Sequence, residues 1–329
     1  MQAQLEKSAI THLKISAKEI FANRAFDALS QDEDYYALSQ FVANLEKIGA
    51  LTTAEFCWNI GQSYDFRRRG EIGRLILSSN TLGSALKTLI KYYPLIQDNT
   101  SLTLDVGDKW TSLTYKILDP LIWPRHHDAI YSLGVYCALI KKAAIDSWPD
   151  IEIIFEASSQ GHRSKVSHLA GAKCQFNGDA NVIHFPSKIL TRKLALASPP
   201  SDAIIKKLNA RLVRKKYNTP YHIHVKNMIM ERLEYKDIRQ ETIARELGVS
   251  GRTLNRHLVS EGYAFQQILD SCRLQLADLE FRRNNNISIS QLALKLGFAE
   301  HSTFSRAFAR WTGQSPQSYR TKLQGSLSA

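Results

Sequence analysis

The sequence predicts an α+β N-terminal domain followed by an all-α C-terminal domain with two helix-turn-helix units joined by a long helix. Three observations predict this. Between about residues 80 and 186 the apolar residues switch repeatedly between a helical period and a period of two. After Pro220 no strand signal appears. Within that last stretch the sequence repeats itself.

In the N-terminal domain, the first hundred residues read as helical, unevenly before about Ala50. The clearest segment is Thr81–Tyr93, where Leu82, Leu86, Leu89, Ile90 and Tyr93 recur at three- and four-residue steps after Ser78-Ser79-Asn80. Leu102, Leu104 and Val106 then alternate, Gly107-Asp108 supplies a turn, and Leu113, Tyr115 and Ile117 alternate again: a β-hairpin. Asp128–Trp148 returns to helix, with Ile130, Leu133, Tyr136, Leu139, Ile140 and Ala143 on one face. Ile151–Glu156 and Val182–Phe185 read as short strands with a helix between them.

Ala197-Ser198-Pro199-Pro200-Ser201-Asp202 breaks the pattern, because proline disfavours helical backbone before it. A connector helix over 202–216 ends in Arg214-Lys215-Lys216, and Asn218-Thr219-Pro220 marks a second break. The expected division is therefore 1–200, a connector over 201–219, and 220–329. Beyond Pro220 helices are expected at about 221–234, 240–247, 250–260, 264–283, 288–296, 301–312 and 316–323. Gly248-Val249-Ser250, Gly262, Asn284-Asn285-Asn286, Gly297-Phe298 and Gly313-Gln314-Ser315-Pro316 separate them.

Ile243-Ala244-Arg245-Glu246-Leu247-Gly248-Val249 is repeated as Leu292-Ala293-Leu294-Lys295-Leu296-Gly297-Phe298. With one extra residue in the second copy, Leu254-Asn255-Arg256-His257-Leu258 then matches Phe304-Ser305-Arg306-Ala307-Phe308. Each shared position has a physical reason. Ala244 and Ala293 are small where two helices cross, and Gly248 and Gly297 supply left-handed backbone at a helix end. Leu254 with Leu258, and Phe304 with Phe308, stand four apart and face the core. The opposite faces carry Arg252, Asn255 and Arg256 in the first copy, and His301, Ser302, Ser305 and Arg306 in the second. Arginine suits guanine edges and asparagine adenine edges in a major groove. A helix of about 20 residues between the copies spans roughly 30 Å, close to the ~34 Å repeat of major-groove faces.

Charge points the same way. The net charge is +12; residues 1–200 hold 22 Lys and Arg against 20 Asp and Glu, and residues 201–329 hold 21 against 11. The excess sits in the repeated domain, as a polyanion partner requires. Met1–Lys18 lacks the apolar stretch of a signal peptide, and apolar runs such as Val135–Ile140 fall far short of a membrane span. Cys57, Cys137, Cys174 and Cys272 form no CxxC pair and read as buried, reduced thiols of a cytoplasmic protein without structural zinc.

Other features read as structural. In Arg125-His126-His127-Asp128, Asp128 is expected to cap a helix, with the histidines exposed and no metal bound; His222 and His224 offer no better site. Arg67-Arg68-Arg69 reads as a solvated loop. Trp58, Tyr64, Tyr92, Tyr93, Trp110 and Tyr136 read as core. No phosphate loop, nucleophile elbow or metal-ligand spacing is present, so no catalytic residue, metal or cofactor is assigned. Two alternatives are an enzyme or small-molecule-binding domain fused to a DNA-binding module, and a nucleoid protein without sequence preference. The varied polar faces speak against the second.

Residues 221–323 resemble the DNA-binding domain of the AraC/XylS transcription regulators. The most specific stretch runs from Ile289-Ser290-Gln291-Leu292-Ala293 through Ser302-Thr303-Phe304-Ser305-Arg306-Ala307-Phe308 and Arg310-Trp311-Thr312-Gly313 to Ser315-Pro316 and Tyr319-Arg320. The resemblance implies base contacts from Arg252, Asn255, Arg256, His301, Ser302 and Arg306, and phosphate contacts from Thr303 and Arg310. Glu300 departs from the pattern; it reads as a helix cap, with acceptance from cytosine as the alternative. The N-terminal two-thirds resembles the sensory domain of the ornithine-utilisation and virulence regulators. That likeness rests on Leu77-Ser78-Ser79-Asn80-Thr81-Leu82-Gly83-Ser84-Ala85-Leu86, Phe176-Asn177-Gly178-Asp179-Ala180-Asn181 and Phe185-Pro186. It implies effector sensing, dimerisation or both, and names no effector. The family resemblance as a whole implies an activator, a homodimer on double-stranded promoter DNA with RNA polymerase as partner, nucleoid-associated in the cytoplasm.

Overall fold

The computed structural model describes residues 4–6, 35–52, 54–156, 163–194, 202–233, 238–284 and 286–327. The breaks expected at Ala197–Ser201 and at Asn285, and the reading of Met1–Lys18 apart from Gln4–Glu6, lie outside them. The chain forms two compact units, one of Met1–Ile117 and Pro124–Lys216, the other of Leu118–Trp123 and Tyr217–Ala329.

The first unit is α+β. Strands β1 (Gln4–Glu6) and β2 (Tyr35–Ala37) pair antiparallel. Helix α1 (Leu38–Leu51) buries Leu38, Phe41, Val42, Leu45 and Ile48 at helical spacing. Helix α2 (Ala54–Gln62), a 3₁₀ turn (Phe66–Arg69) and helix α3 (Gly70–Leu77) follow. Helix α4 (Leu82–Tyr92) starts where expected, because the Thr81 hydroxyl accepts from the Ser84 amide and the Ser84 hydroxyl from the Thr81 amide.

The expected hairpin is β3 (Thr100–Val106) with β4 (Trp110–Ile117), in a register that sets Leu102 opposite Tyr115 and Leu104 opposite Leu113. Trp110, expected in the core, is 52% exposed: it is the first residue of β4, directly after the hairpin turn. The sheet continues β3-β4-β7-β5-β6, with β5 (Glu152–Ile154), β6 (Lys173–Gln175) and β7 (Asn181–Pro186). β5 and β6 are parallel, and helix α6 (Arg163–Ala170) lies between them in the chain. Three residues, Lys-Cys-Gln, are too few to show a period, so β6 carried no sequence signal.

Helix α5 (His126–Ala144) ends earlier than the expected Trp148, giving way to a 3₁₀ turn over Ile145–Asp150. It is buried on nearly every side. This overturns the expectation for Arg125–Asp128. Asp128 is inside the helix and buried, accepting a bond from the Tyr115 hydroxyl at 3.1 Å, and caps nothing. His127 is buried with its backbone N–H on Glu46 at 2.6 Å, and His126 is half-buried. Arg125 pairs with Glu156 at 2.6 Å, both nearly out of solvent. Asp128, His127 and Arg125 thus each have a partner elsewhere in the chain.

Helix α7 (Asp202–Asn218) precedes the second unit, which is helical: α8 (Tyr221–Arg232), α9 (Gln240–Leu247), α10 (Gly251–Ser260), α11 (Phe265–Arg283), α12 (Ile289–Lys295), α13 (His301–Thr312) and α14 (Pro316–Leu327). Each falls within a few residues of its expected span. Val225, Ile229, Leu254, Leu258, Cys272, Leu276, Phe281, Leu292, Phe304 and Phe308 form its core. No cysteine is disulfide-bonded; Cys57, Cys137 and Cys272 are buried, whereas Cys174, expected to be buried too, is half-buried. No helix among the described residues is long and apolar enough to cross a membrane.

Candidate nucleic-acid interface

The two repeats fold alike to the level of single hydrogen bonds. Gly248, at φ 79°, ends α9; its N–H donates to the Arg245 carbonyl at 3.0 Å, and that of Val249 to Ala244 at 3.0 Å. Gly297, at φ 76°, follows α12; its N–H donates to Leu294 at 3.0 Å, and that of Phe298 to Ala293 at 3.0 Å. A side chain at these φ values is strained, which is why both copies carry glycine. Ala244 and Ala293 are buried at the crossings. Leu254 and Leu258, and Phe304 and Phe308, point inward with no exposed surface. Helix α11 between the pairs has 19 residues, about 28 Å at 1.5 Å per residue.

The opposite faces are exposed. Arg252, Asn255 and Arg256 project from α10, and His301, Ser302, Thr303, Arg306 and Arg310 from α13; Ser305 is half-buried. Ser250 caps α10, accepting from the Thr253 amide at 3.1 Å. Glu300 holds the N-cap position of α13 but caps no backbone amide. Its carboxylate instead accepts from the Ser302 hydroxyl at 3.2 Å, so the expected capping bond is replaced by one to a neighbouring side chain. Arg310 pairs with Asp270 of α11 at 3.0 Å. Arg252, Asn255, Arg256, His301 and Arg306 make no hydrogen bond or ion pair among the described residues, leaving their donors to water or a ligand.

Two supports escaped sequence reading. Arg273 stacks its guanidinium 4.4 Å from the Phe298 ring centre and donates Nε to the Leu296 carbonyl at 3.1 Å, tying α11 to the second turn. Asp270 holds Arg310 from 40 residues away. Neither long-range pairing has a local signal. Among the described residues, no group of three or more His, Cys, Asp or Glu is placed to hold a metal.

Two like-built helix pairs in one basic helical domain, each presenting a polar face, define a tandem helix-turn-helix protein that binds DNA. Comparison with known proteins gives the family. Residues 243–322 match the helix-turn-helix domain family, and residues 27–194 match the N-terminal arabinose-binding domain of AraC transcription regulators. The chain is 34% identical to the HTH-type transcriptional regulator VirS of Mycobacterium tuberculosis over 310 residues, 88% of this chain and 86% of that one. It is 29% identical to the ornithine utilization regulator of Pseudomonas aeruginosa over 267 residues, 79% and 77% of the two chains. A crystal structure of the transcriptional regulator CdpR from Pseudomonas aeruginosa covers 95% of this chain and 98% of its own at 20% identity, with a TM-score of 0.44. The chain belongs to the AraC family of transcription regulators, with a helix-turn-helix DNA-binding domain behind an N-terminal ligand-binding domain.

Proposed function

We propose that the chain activates transcription by laying α10 and α13 in adjacent major grooves of promoter DNA, without catalysing a reaction itself. Arg252, Asn255, Arg256, His301, Ser302 and Arg306 read bases; Thr303 and Arg310 hold phosphates. Residues 1–200 sense an effector and pair two copies, 201–219 connect, and 220–329 read DNA, in the cytoplasm on the nucleoid and beside RNA polymerase. The single observation that carries this is the matched pair of exposed polar faces that follow turns of identical backbone hydrogen bonding.

Hydroxyl-radical footprinting of the intact protein tests it. Each protomer should protect two segments about one helical turn apart, with affinity falling steeply as salt rises, since each neutralised phosphate adds about 0.9 to the log–log slope. A single protected segment per protomer would reduce one pair to a structural support.

A further inference from the structure

The run Arg67-Arg68-Arg69 is not a uniform solvated loop. Asp65 accepts from the Arg67 amide at 3.0 Å and pairs with the Arg67 side chain at 2.9 Å, holding it in solvent beside exposed Arg68. Arg69 turns the other way. Its guanidinium lies 5.0 Å from the Tyr64 ring centre, with Nε and Nη1 buried and no hydrogen-bond acceptor among the described residues.

Three glycines build this arrangement. A Cβ on Gly73 would overlap the Phe66 carbonyl, so α3 can press against the 3₁₀ turn only without a side chain there. Gly61 and Gly134 let α2 and α5 touch backbone to backbone. A Cβ on the first would overlap the Tyr131 carbonyl, and one on the second would stand 3.0 Å from that of Trp58. Tyr64, Tyr131, Tyr93 and Tyr136 thereby come within electrostatic reach of Arg69. Tyr93 and Tyr136 satisfy each other at 2.8 Å, and Tyr115 lies between Gln97 and Asp128. The buried Tyr131 hydroxyl has no partner among the described residues. Burial pushes the Asp128 carboxyl up to about 7, against the pull of its Tyr115 bond, which leaves it a weak counter-charge.

Arg69 is half-buried, and an arginine cannot relieve the burial of Nε and Nη1 by losing its proton, so these two N–H groups present an unmatched positive charge to an anion. One guanidinium with neutral hydroxyls balances a single negative charge. A phosphate dianion would leave charge uncompensated. We propose that Arg69 and Tyr131 form an effector site that binds the carboxylate of a small organic acid. This rests on reading the N-terminal unit as the sensing domain.

The test is ¹⁹F NMR of the intact protein with trifluoroacetate and 4-fluorobenzoate, and with neutral 4-fluorobenzamide as control. At least one acid should bind saturably and the amide should not. Arg69→Gln should weaken acid binding by about tenfold or more, Tyr131→Phe by a few-fold, and exposed Arg68→Ala not at all. Absence of saturable acid binding overturns the proposal, as does unchanged binding in Arg69→Gln, or displacement of the acid by inorganic phosphate more effectively than by acetate. If Arg69→Gln does not fold, unchanged binding in Tyr131→Phe overturns the site as drawn. Promoter binding without added acid, measured on the same samples, should be equal in all folded variants. Its loss throughout would count against the DNA-reading proposal and leave the acid site standing.

Discussion

The two helix-turn-helix pairs share a backbone and differ in what surrounds it. The first packs on the aliphatic side chains Leu254 and Leu258, its reading helix is capped by Ser250, and Arg252, Asn255 and Arg256 stand clear. The second packs on an aromatic cluster in which Phe308 meets Phe304, Tyr319, Phe281 and Trp311 at 5.3–6.2 Å. Its reading helix has no side-chain cap, and its polar face is partly committed, through Ser302 to Glu300 and Arg310 to Asp270. The same turn geometry therefore supports one pair held by its cap and free on its face, and another held by its core with part of its face engaged.

The largest test of that contrast is in the cores. Phe308→Ala should cost about 3–5 kcal/mol and Leu258→Ala about 2–5 kcal/mol, the phenylalanine more, read by amide hydrogen exchange across the second unit. Equal losses would erase the difference. Next come the faces. Arg256→Ala and Arg306→Ala should each lose about 1–3 kcal/mol of binding on promoter DNA and far less on scrambled DNA. Equal losses on both sequences would make these arginines phosphate contacts. The smallest effect lies in the caps: Ser250→Ala should cost about 1 kcal/mol of stability, whereas Glu300→Ala should stay within about 0.5 kcal/mol, measured in the same way. A Glu300→Ala loss as large as that of Ser250→Ala would mean that this carboxylate supports the helix after all.

The second unit was legible because its information is local. Helical periods, Gly248 and Gly297 at positive φ, and the Leu and Phe pairs four apart are all readable within ten residues. The candidate contact faces followed by subtraction, since what is not core must face outward. The first unit hides its decisive contacts in distance. Asp128, His127 and Arg125 look like a polar surface run, and bonds to Tyr115, Glu46 and Glu156, up to 81 residues away, help make their burial tolerable. Arg69 was misread for the same reason, as nothing in three consecutive arginines marks the third as the one turned inward.

The cysteines carry a further consequence. Burial raises the thiols of Cys57 and Cys137 far above their ordinary range and that of Cys272 to about 12, so almost no thiolate exists to react while the fold is closed. At these three buried thiols an alkylating reagent therefore reads opening rather than surface chemistry, unlike at half-buried Cys174. Because Cys57 and Cys137 lie in the first unit and Cys272 in the second, the chain carries its own pair of clocks. Mass-resolved labelling would time the opening of each unit separately in one unmodified protein, with and without DNA or an added acid.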